Sequence, residues 1–589
     1  MNSQPQPAGT PCSGIAAPRW VQVVVLLASL FLVWHSLWDH PLYPPDEGRY
    51  GSVSAWMAEH GNWLQPQLRS DVHVTKPPLT YWAQAVGVLA FGRAEIAVRL
   101  PGAVAASIVL LSMFWFVRRT MGSAAATVAV GLYAVMPLPL IVERLGSTDS
   151  LLNAWWWLAL CFGYLAFAAP GGSAPLTDAP NTAPARGGAP RARPHLGWLA
   201  AFWGATALLG LTKGPLILAP LVLICAWLVL TGRWRDAWRT HAWLGLPLAL
   251  VPLGVVAYLY WQANPERTAR IWNFEFVERI TGGGGHNDPV WMFVPLFLGG
   301  FFPASAMLML PWLNVSARRA WSAFTGGDLR ALMLLAVVLP FIGFSLLSGK
   351  QPTYILPLAP PLAVLVTHML MRWLQPRAAD ADGLRLPDVR WTCMAAAGVM
   401  ALGAPAAAVW LVREDRAPAW APGWTLVWWS LVFLPLALGW ATCGHMWWDR
   451  VRRGLGLGCA FAGMVFMWLG VQMVENHALD AMNARGVAAA MQAGARPMLV
   501  VGVRDLTVDF YAGAWTDWSE TSEDVPAWIA AHPDGLVLLS EDDIRRGRVV
   551  RAQDLDGLSR AGSFLLWPFK PAVLMQKVVP GTGVPTFSP

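Results

Sequence analysis

The chain has 589 residues, of which 56% are hydrophobic and 13% are charged, and its formal net charge is +7. Soluble domains contain roughly 25% charged residues, so this composition excludes an ordinary soluble protein. The arginines are spread over loops and form no stripe, which also argues against a nucleic-acid-binding surface. We therefore expect a protein that spans a membrane many times.

Apolar runs of membrane-spanning length recur through the first 474 residues. A helix needs about 20 mostly apolar residues to cross a hydrocarbon layer roughly 30 Å thick. This criterion predicts thirteen transmembrane helices. They lie near 20–38, 97–117, 122–141, 150–168, 196–212, 214–231, 242–262, 289–311, 331–347, 353–371, 391–411, 424–443 and 455–474.

Arginines between these spans indicate the side of the membrane on which each loop lies. They concentrate in alternate loops, for example at 118–119 and 233–239, as the positive-inside rule requires if the N-terminus is cytoplasmic. The segments 39–96 and 263–288 and the C-terminal tail then face outward. In a bacterial inner membrane, the outward side is the periplasm.

Two stretches depart from the apolar pattern. Residues 169–195 are rich in Ala, Pro, Gly and Arg, a composition typical of a disordered cytoplasmic linker. After residue 474 the apolar runs shorten to strand length, as at 497–503 and 535–540. We predict a transmembrane domain over 1–474 and a periplasmic α/β domain over 475–589. No catalytic motif stands out in this tail, so its simplest interpretation is a passive cap.

Candidate catalytic carboxylates stand at outward span ends. Asp46 and Glu47 follow the first span, and Asp149 begins the fourth. A carboxylate there can act as a base or as a metal ligand. Each also has a structural interpretation, because Asp46 and Asp149 suit helix capping and Glu47 suits the exposed first turn of a helix. Residue type alone leaves both interpretations open.

Outward-facing lysines form a second candidate group. Lys76 precedes two prolines, which favour an extended backbone and so fix the direction of its ammonium group. Lys213 and Lys350 stand at outward ends of apolar segments, although snorkelling to the interface explains such lysines about as well.

Arginines of the 263–288 segment, Arg267, Arg270 and Arg279, also face outward, against the positive-inside rule. Such cations predict an anionic ligand. We favour a lipid phosphate at the outer membrane surface, as in a polyprenyl-phosphate sugar, because Lys and Arg bind phosphate through charge-assisted hydrogen bonds.

Five motifs, taken in order, resemble the GT-C glycosyltransferases of the aminoarabinose transferase and protein O-mannosyltransferase type. They are PPDEGRY at 44–50, TKPPLTYW at 75–82, STDSLLNAW at 147–155, LTKGPL at 211–216 and SGKQPTYILPLAP at 348–360. The ordered set is closest to the lipid A aminoarabinose transferase branch. The resemblance implies a helical GT-C membrane fold with about thirteen spans, a C-terminal periplasmic α/β domain and transfer with inversion.

The resemblance also implies roles for individual residues. Asp46 falls on the leading catalytic position with Glu47 beside it, and Asp149 falls on the second acidic position. The residues that fall on donor-site positions are Lys76, Tyr354, Tyr50 and Tyr81.

Two positions depart from the zinc-binding members of the family. Thr75 stands where they have a glutamate, and Arg279 stands where they have a histidine. His286 is a weaker candidate ligand, because a lone histidine after four glycines is more often a loop residue. We expect no metal, with an arginine supplying the positive charge that the metal would have brought.

The predicted function is integral-membrane glycosyl transfer at the periplasmic face. The sugar, 4-amino-4-deoxy-L-arabinose or a hexose, would move from an undecaprenyl-phosphate carrier to lipid A or another envelope acceptor. A protein O-glycosyltransferase of the same fold is an alternative, and a lipid or sugar transporter or flippase is another. Transporters usually place ionisable residues near the bilayer midplane in two similar halves, whereas here the charges lie at span ends.

Overall fold

Helices dominate the described part of the chain up to residue 374. The computed structural model describes residues 16–43, 45–69, 71–73, 75–168, 194–273, 288–305, 307, 329–374, 464–465, 484–493, 495–502, 506–540, 544, 552–566 and 570–577. The helices of its first part are α1 Arg19–Trp34, α2 Asp46–His60, α3 Leu79–Phe91, α4 Glu95–Met121, α5 Ser123–Ala134, α6 Pro137–Val142, α7 Thr148–Phe167, α8 Leu196–Thr212, α9 Ala219–Leu230, α10 Trp234–Ala237, α11 Ala242–Ala263, α12 Pro265–Trp272, α13 Phe293–Gly300, α14 Leu329–Leu346 and α15 Ala359–Leu374.

Each predicted span up to residue 371 overlaps one or two of these helices. Within the described residues, five segments are long and apolar enough to cross a membrane, namely α4, α7, α11, α14 and Pro352–Met371. The predicted spans 391–411 and 424–443 lie outside the described residues, as does 455–474 apart from two residues. The number of thirteen spans therefore stays a prediction.

Helix α7 lies in the core of the helical bundle and carries one site residue, Asp149, in its first turn. Trp156 and Trp157 are almost completely buried, and Phe116 of α4 packs edge-on against Trp157 with ring centroids 5.7 Å apart. Gly163 allows close approach of α9, because a Cβ there would lie 2.7 Å from Ile224. Close packing along α7 gives Asp149 a rigid support.

The outer segment between α1 and α4 consists of α2, α3 and a small antiparallel hairpin, β1 Gln67–Leu68 and β2 Asp71–Val72. Ser54 of α2 donates a hydrogen bond to Gln84 of α3 at 3.0 Å. The Gln84 amide in turn donates to the carbonyls of Val98 and Gly146, each at 3.0 Å. These buried bonds fix the outer segment on the helical bundle.

A five-stranded mixed sheet lies in the C-terminal part. Its strands are β3 Met498–Val501, β4 Asp517–Ser519, β5 Leu536–Ser540, β6 Leu558–Leu566 and β7 Lys570–Lys577, in the order β4-β3-β5-β7-β6. Strands β4, β3 and β5 are parallel, whereas β7 runs antiparallel to both β5 and β6. The accompanying helices are α16 Ala484–Gln492, α17 Thr507–Ala512 and α18 Val525–Ala531. The sequence runs 497–503 and 535–540 contain β3 and β5.

Candidate active site

Glu47 is a buried anchor of the outer segment. Its two carboxylate oxygens accept hydrogen bonds from Arg99 of α4 at 2.8 and 2.9 Å, and from the backbone N–H groups of Tyr43 and Gly146 at 2.6 and 2.7 Å. Burial alone would raise the pKa of Glu47, but the Arg99 guanidinium and the backbone donors hold that pKa below its usual range. Its side chain is 2% exposed. We therefore remove Glu47 from the catalytic candidates, and the exposed turn position expected for it is wrong.

Asp46, the neighbouring carboxylate, has the opposite environment. Its side chain is 50% exposed and pairs with Arg49 one turn along α2. Pro45 occupies the N-cap position, so Asp46 is not the capping residue. The Arg49 guanidinium also lies over the ring of Tyr50, 5.0 Å from its centroid. Asp46 thus presents an accessible carboxylate at the start of α2.

Asp149 and Lys213 form an ion pair, with Lys213 Nζ 2.8 Å from Asp149 Oδ1. The same ammonium lies 4.4 Å from the centroid of the Tyr354 ring, a cation–π contact. The Thr353 hydroxyl donates a hydrogen bond to the Asp149 carboxylate. The Lys76 ammonium lies near enough to interact electrostatically with the same carboxylate. Residues from motifs as far apart as 75–82 and 348–360 therefore lie close together, as the resemblance implies.

Breaks in helical structure place Lys213 and Tyr354 at this point. Helix α8 ends at Thr212, and Lys213 leaves the helical conformation at φ −152° and ψ 79°. A 3₁₀ segment, Gly214–Leu218, with proline in its first turn, then leads into α9. A second 3₁₀ segment, Pro352–Leu358, contains Tyr354. Proline favours such interruptions because it lacks a backbone donor.

A cavity of about 580 Å³ lies beside the ion pair. Thr75, Lys76, Lys213 and Tyr354 supply its polar wall. Most of the remaining wall is apolar, with Leu216, Leu250, Leu253, Val256, Phe344 and Leu347 among its residues. An amphiphile with an anionic head and a hydrocarbon tail matches this distribution of charge and apolar surface.

His73 connects the cavity wall to the residues around Asp46. Its ring bonds to the Thr75 hydroxyl at 2.7 Å and packs edge-on against Tyr81, with centroids 5.7 Å apart. Tyr81 packs against Tyr50, with centroids 5.6 Å apart. Both tyrosines are buried, and neither lines the cavity described above. They instead belong to a row of contacts that runs from Arg49 through Tyr50, Tyr81 and His73 to Thr75 in the cavity wall.

Cations surround this histidine. Burial, followed by the charges of Arg49, Arg267 and Lys76, lowers the pKa of His73 to about 3. The imidazole is therefore neutral at physiological pH. The sequence interpretation missed His73 as a site residue, although its position two residues before Thr75 was a usable signal. Of the two described arginine candidates in the 263–288 segment, Arg270 is exposed, whereas Arg267 lies near enough to His73 to interact with it electrostatically.

Lys350 does not line the cavity. It is buried, and its ammonium donates to the backbone carbonyls of Asp288 and Leu347 at 2.8 and 2.5 Å. The Asp288 carboxylate also accepts a bond from the Lys350 backbone at 3.1 Å. These bonds use the Lys350 ammonium to hold residues 288 and 347–350 together, in place of the ligand role predicted for it. Arg279 and His286 lie outside the described residues, so their roles stay predictions.

Thr75 occupies the position at which the family resemblance predicts a zinc ligand, and the charges around it are positive. The Thr75 hydroxyl is bonded to His73, and three cationic side chains lie within electrostatic range of that histidine. Among the described residues, no three His, Cys, Asp or Glu side chains come together in a way that could hold a metal ion. Zinc sites in proteins combine several His, Cys, Asp or Glu ligands, whereas here the neutral His73 ring is accompanied by a hydroxyl and three cations.

Comparisons with known proteins bear on the fold of this chain. Residues 75–173 match the family model described as dolichyl-phosphate-mannose-protein mannosyltransferase. The structure superposes on ArnT from Cupriavidus metallidurans, crystallised bound to undecaprenyl phosphate, with a TM-score of 0.68 and 21% identity, covering 95% of this chain and 98% of that chain. This chain has the GT-C fold. The resemblance inferred from the five motifs is confirmed.

Two curated relatives of this GT-C chain are both named undecaprenyl phosphate-alpha-4-amino-4-deoxy-L-arabinose arabinosyl transferase. The protein from Pseudomonas paraeruginosa is 30% identical over 62% of this chain and 62% of its own length. That from Edwardsiella ictaluri is 29% identical over 60% and 59%. The chain therefore spans about six tenths of the length of the curated relatives it matches. Its apolar helices and these similarities make it a multi-pass membrane protein.

Proposed function

We propose that this GT-C protein transfers a sugar, 4-amino-4-deoxy-L-arabinose, from undecaprenyl phosphate to lipid A at the periplasmic face of the inner membrane. The observation that carries the proposal is the cavity with Lys76 and Lys213 at its polar wall and aliphatic residues along the rest. The names of the relatives supply the sugar and the carrier. Another envelope glycolipid or a protein hydroxyl is the alternative acceptor.

Lys76 and Lys213 would hold the phosphate of the donor. Asp149 and the Tyr354 ring fix the Lys213 ammonium before any ligand arrives, so little side-chain entropy is lost on binding. The aliphatic wall would take the first isoprene units of the carrier. During transfer, the two ammonium groups would neutralise the charge that develops on the departing phosphate.

Asp46 would act on the acceptor. Its exposed carboxylate would accept the proton of an acceptor hydroxyl, or orient the hydroxyl if the proton is lost elsewhere. The acceptor oxygen would then attack the anomeric carbon from the face opposite the phosphate. The bond from carbon to phosphate oxygen would break, leaving undecaprenyl phosphate and an inverted sugar linkage. Asp149, already paired with Lys213, is the weaker candidate for a base.

The outward orientation of the site supports the periplasmic location. Asp46 follows α1, Asp149 lies in the first turn of α7 and Lys213 directly follows α8. The arginine pattern assigns all three span ends to the side opposite Arg118 and Arg119. With a cytoplasmic N-terminus, these ends face the periplasm.

Replacing Lys76 by alanine tests the donor site. We expect the dissociation constant for undecaprenyl phosphate to rise about tenfold to a hundredfold, because a hydrogen bond to a charged group contributes about 1.5–3 kcal/mol. Transfer from the aminoarabinose donor should slow as well. The measurement is a binding titration of the purified protein, followed by a transfer assay with lipid A in defined detergent.

Two control variants accompany this test. Lys76→Arg keeps the charge and should recover part of the affinity. Arg560→Ala removes an exposed cation of the C-terminal sheet and should leave binding unchanged. Wild-type affinity in Lys76→Ala would contradict the assignment of the cavity to the donor phosphate.

Metal removal gives a second expected outcome. The transfer rate should be the same before and after dialysis against EDTA, because the residues around Thr75 and His73 supply cations where a metal would need donors. The control is an EDTA-treated sample to which zinc is returned. A rate lost in EDTA and restored by zinc would contradict the expectation, and His286 would then be the first candidate ligand to replace.

A further inference from the structure

Helix α17 of the C-terminal sheet packs directly against α2, the helix that begins with Asp46. Its Phe510 side chain has no exposed surface. It packs in a cluster of buried residues with Leu42, Ala55, Val88, Ala97 and Val98. A fully buried aromatic ring is the usual anchor of a tight interface. Through α17, the C-terminal part therefore forms a tightly packed interface with the outer segment.

Two glycines of α2 make this contact possible. A Cβ on Gly48 would lie 2.5 Å from the backbone N of Thr507 and 2.8 Å from the carbonyl carbon of Leu506. A Cβ on Gly51 would lie 3.1 Å from the Phe510 ring. Gly48 meets backbone atoms, which cannot turn away as a flexible side chain could. The approach of α17 to α2 therefore depends on glycine at position 48.

Hydrogen bonds extend the contact on both sides of Asp46. The Tyr511 hydroxyl accepts a bond from the backbone N–H of Leu42 at 2.7 Å and donates to Glu95 at 2.8 Å. Ser52 donates to the Leu506 carbonyl at 3.3 Å. The segment carrying Asp46 is thus bound to α17 both before and after that residue.

The opposite side of the same segment is held by the bonds of Glu47 to Arg99 and Gly146. The Asp46 carboxylate itself pairs within its own helix, with Arg49. Its position is therefore set by where the backbone of α2 lies. That backbone is fixed between the helical bundle on one side and α17 on the other.

We propose that α17 is a positioning element for the catalytic carboxylate, with Phe510 as its anchor and Gly48 as the point of contact. The proposal rests on the proposed function, in which Asp46 acts on the acceptor. The donor phosphate site stands on Lys76, Lys213 and Tyr354, outside this contact. A shift of α2 should therefore lower turnover and leave donor binding intact.

Gly48→Ala is the decisive variant. Alanine is the better helix former, so a local effect alone would stabilise α2. The clash with Thr507 should instead displace the start of α2, and a displacement of about 1 Å can reduce rate a hundredfold. We expect kcat to fall at least about tenfold, with the dissociation constant for undecaprenyl phosphate unchanged. Gly204→Ala is the matched control, because a Cβ there meets nothing within 4 Å.

Tyr511→Phe provides a milder second variant, which keeps the ring and removes both hydroxyl bonds. It should lower kcat in the same direction, by a smaller factor. Amide hydrogen exchange of residues 46–55 should be faster in both variants and unchanged in Gly204→Ala. This exchange measurement requires no activity.

The outcomes distinguish the positioning role of α17 from the proposed function of the protein. A folded Gly48→Ala protein with kcat within twofold of wild type would overturn the positioning role. Unchanged exchange in α2 would also overturn it. A wild-type protein that binds undecaprenyl phosphate and transfers no sugar would instead refute the proposed function, and the exchange data would still show whether α17 fixes α2.

Discussion

Replacing Asp46 with asparagine should lower kcat for sugar transfer by a factor on the order of 10² or more, with binding of undecaprenyl phosphate retained. The carboxylate is half exposed and begins α2, whereas the phosphate site is built from other elements. Asparagine keeps the size of the side chain and removes its basicity. The effect should therefore appear in turnover, measured with a saturating donor, and not in the dissociation constant of the donor.

Asp39→Asn is the matched control, since Asp39 is an exposed carboxylate in the same outer segment. It should transfer sugar at the wild-type rate. Near-normal transfer by Asp46→Asn would contradict the assignment. Asp149 would then be the remaining candidate for the base, and it would have to give up its pairing with Lys213.

Glu47→Gln should have the second large effect, on stability. The neutral amide would leave the Arg99 guanidinium buried without its counter-charge, and its NH₂ group would meet backbone donors. Breaking a buried ion pair from one side costs about 3–5 kcal/mol. We expect this loss in the free energy of unfolding, measured by thermal or denaturant titration in detergent.

The exposed pair of Glu59 and Arg93 is the control. Their side chains are 43% and 22% exposed, and such pairs contribute about 1 kcal/mol or less. Glu59→Gln should therefore change stability little. Equal stability losses in the two variants would contradict the anchoring role of Glu47.

The pH dependence of this stabilisation has a definite sign. The folded-state pKa of Glu47 lies below the unfolded value. The stabilisation is therefore fully present above the unfolded-state pKa of about 4.3. It is lost as the pH falls through the lower folded-state pKa.

The helices up to residue 371 were predictable because length and hydrophobicity largely determine where such a segment lies. The same reasoning could not predict which of the adjacent carboxylates, Asp46 or Glu47, is buried. Neighbouring residues on a helix point about 100° apart, so one carboxylate can face the core and the other solvent. Only the position of Arg99, fifty-two residues away, decides which one is buried.

Cations near span ends were harder to assign. Lys213 and Lys350 have similar sequence surroundings, yet one meets Asp149 beside a cavity and the other meets backbone carbonyls. Arg267 and Arg270 share α12 and lie three residues apart, yet Arg270 is exposed and Arg267 is partly buried. Lys76 stood out by the two prolines that follow it, whereas Tyr354 became a candidate only through its position in the family resemblance.

The pairing of Lys213 with Asp149 also bears on how the protein enters the bilayer during synthesis. Asp149 and Lys213 both stand at outer span ends, where a buried charge left without its partner is unfavourable. Here the two charges belong to consecutive spans, α7 and α8, and have opposite signs. This helical hairpin can therefore leave the translocon with its charges already neutralised. Tyr354 arrives later, when the ribosome has made more than a hundred further residues, and completes a pair that is already formed.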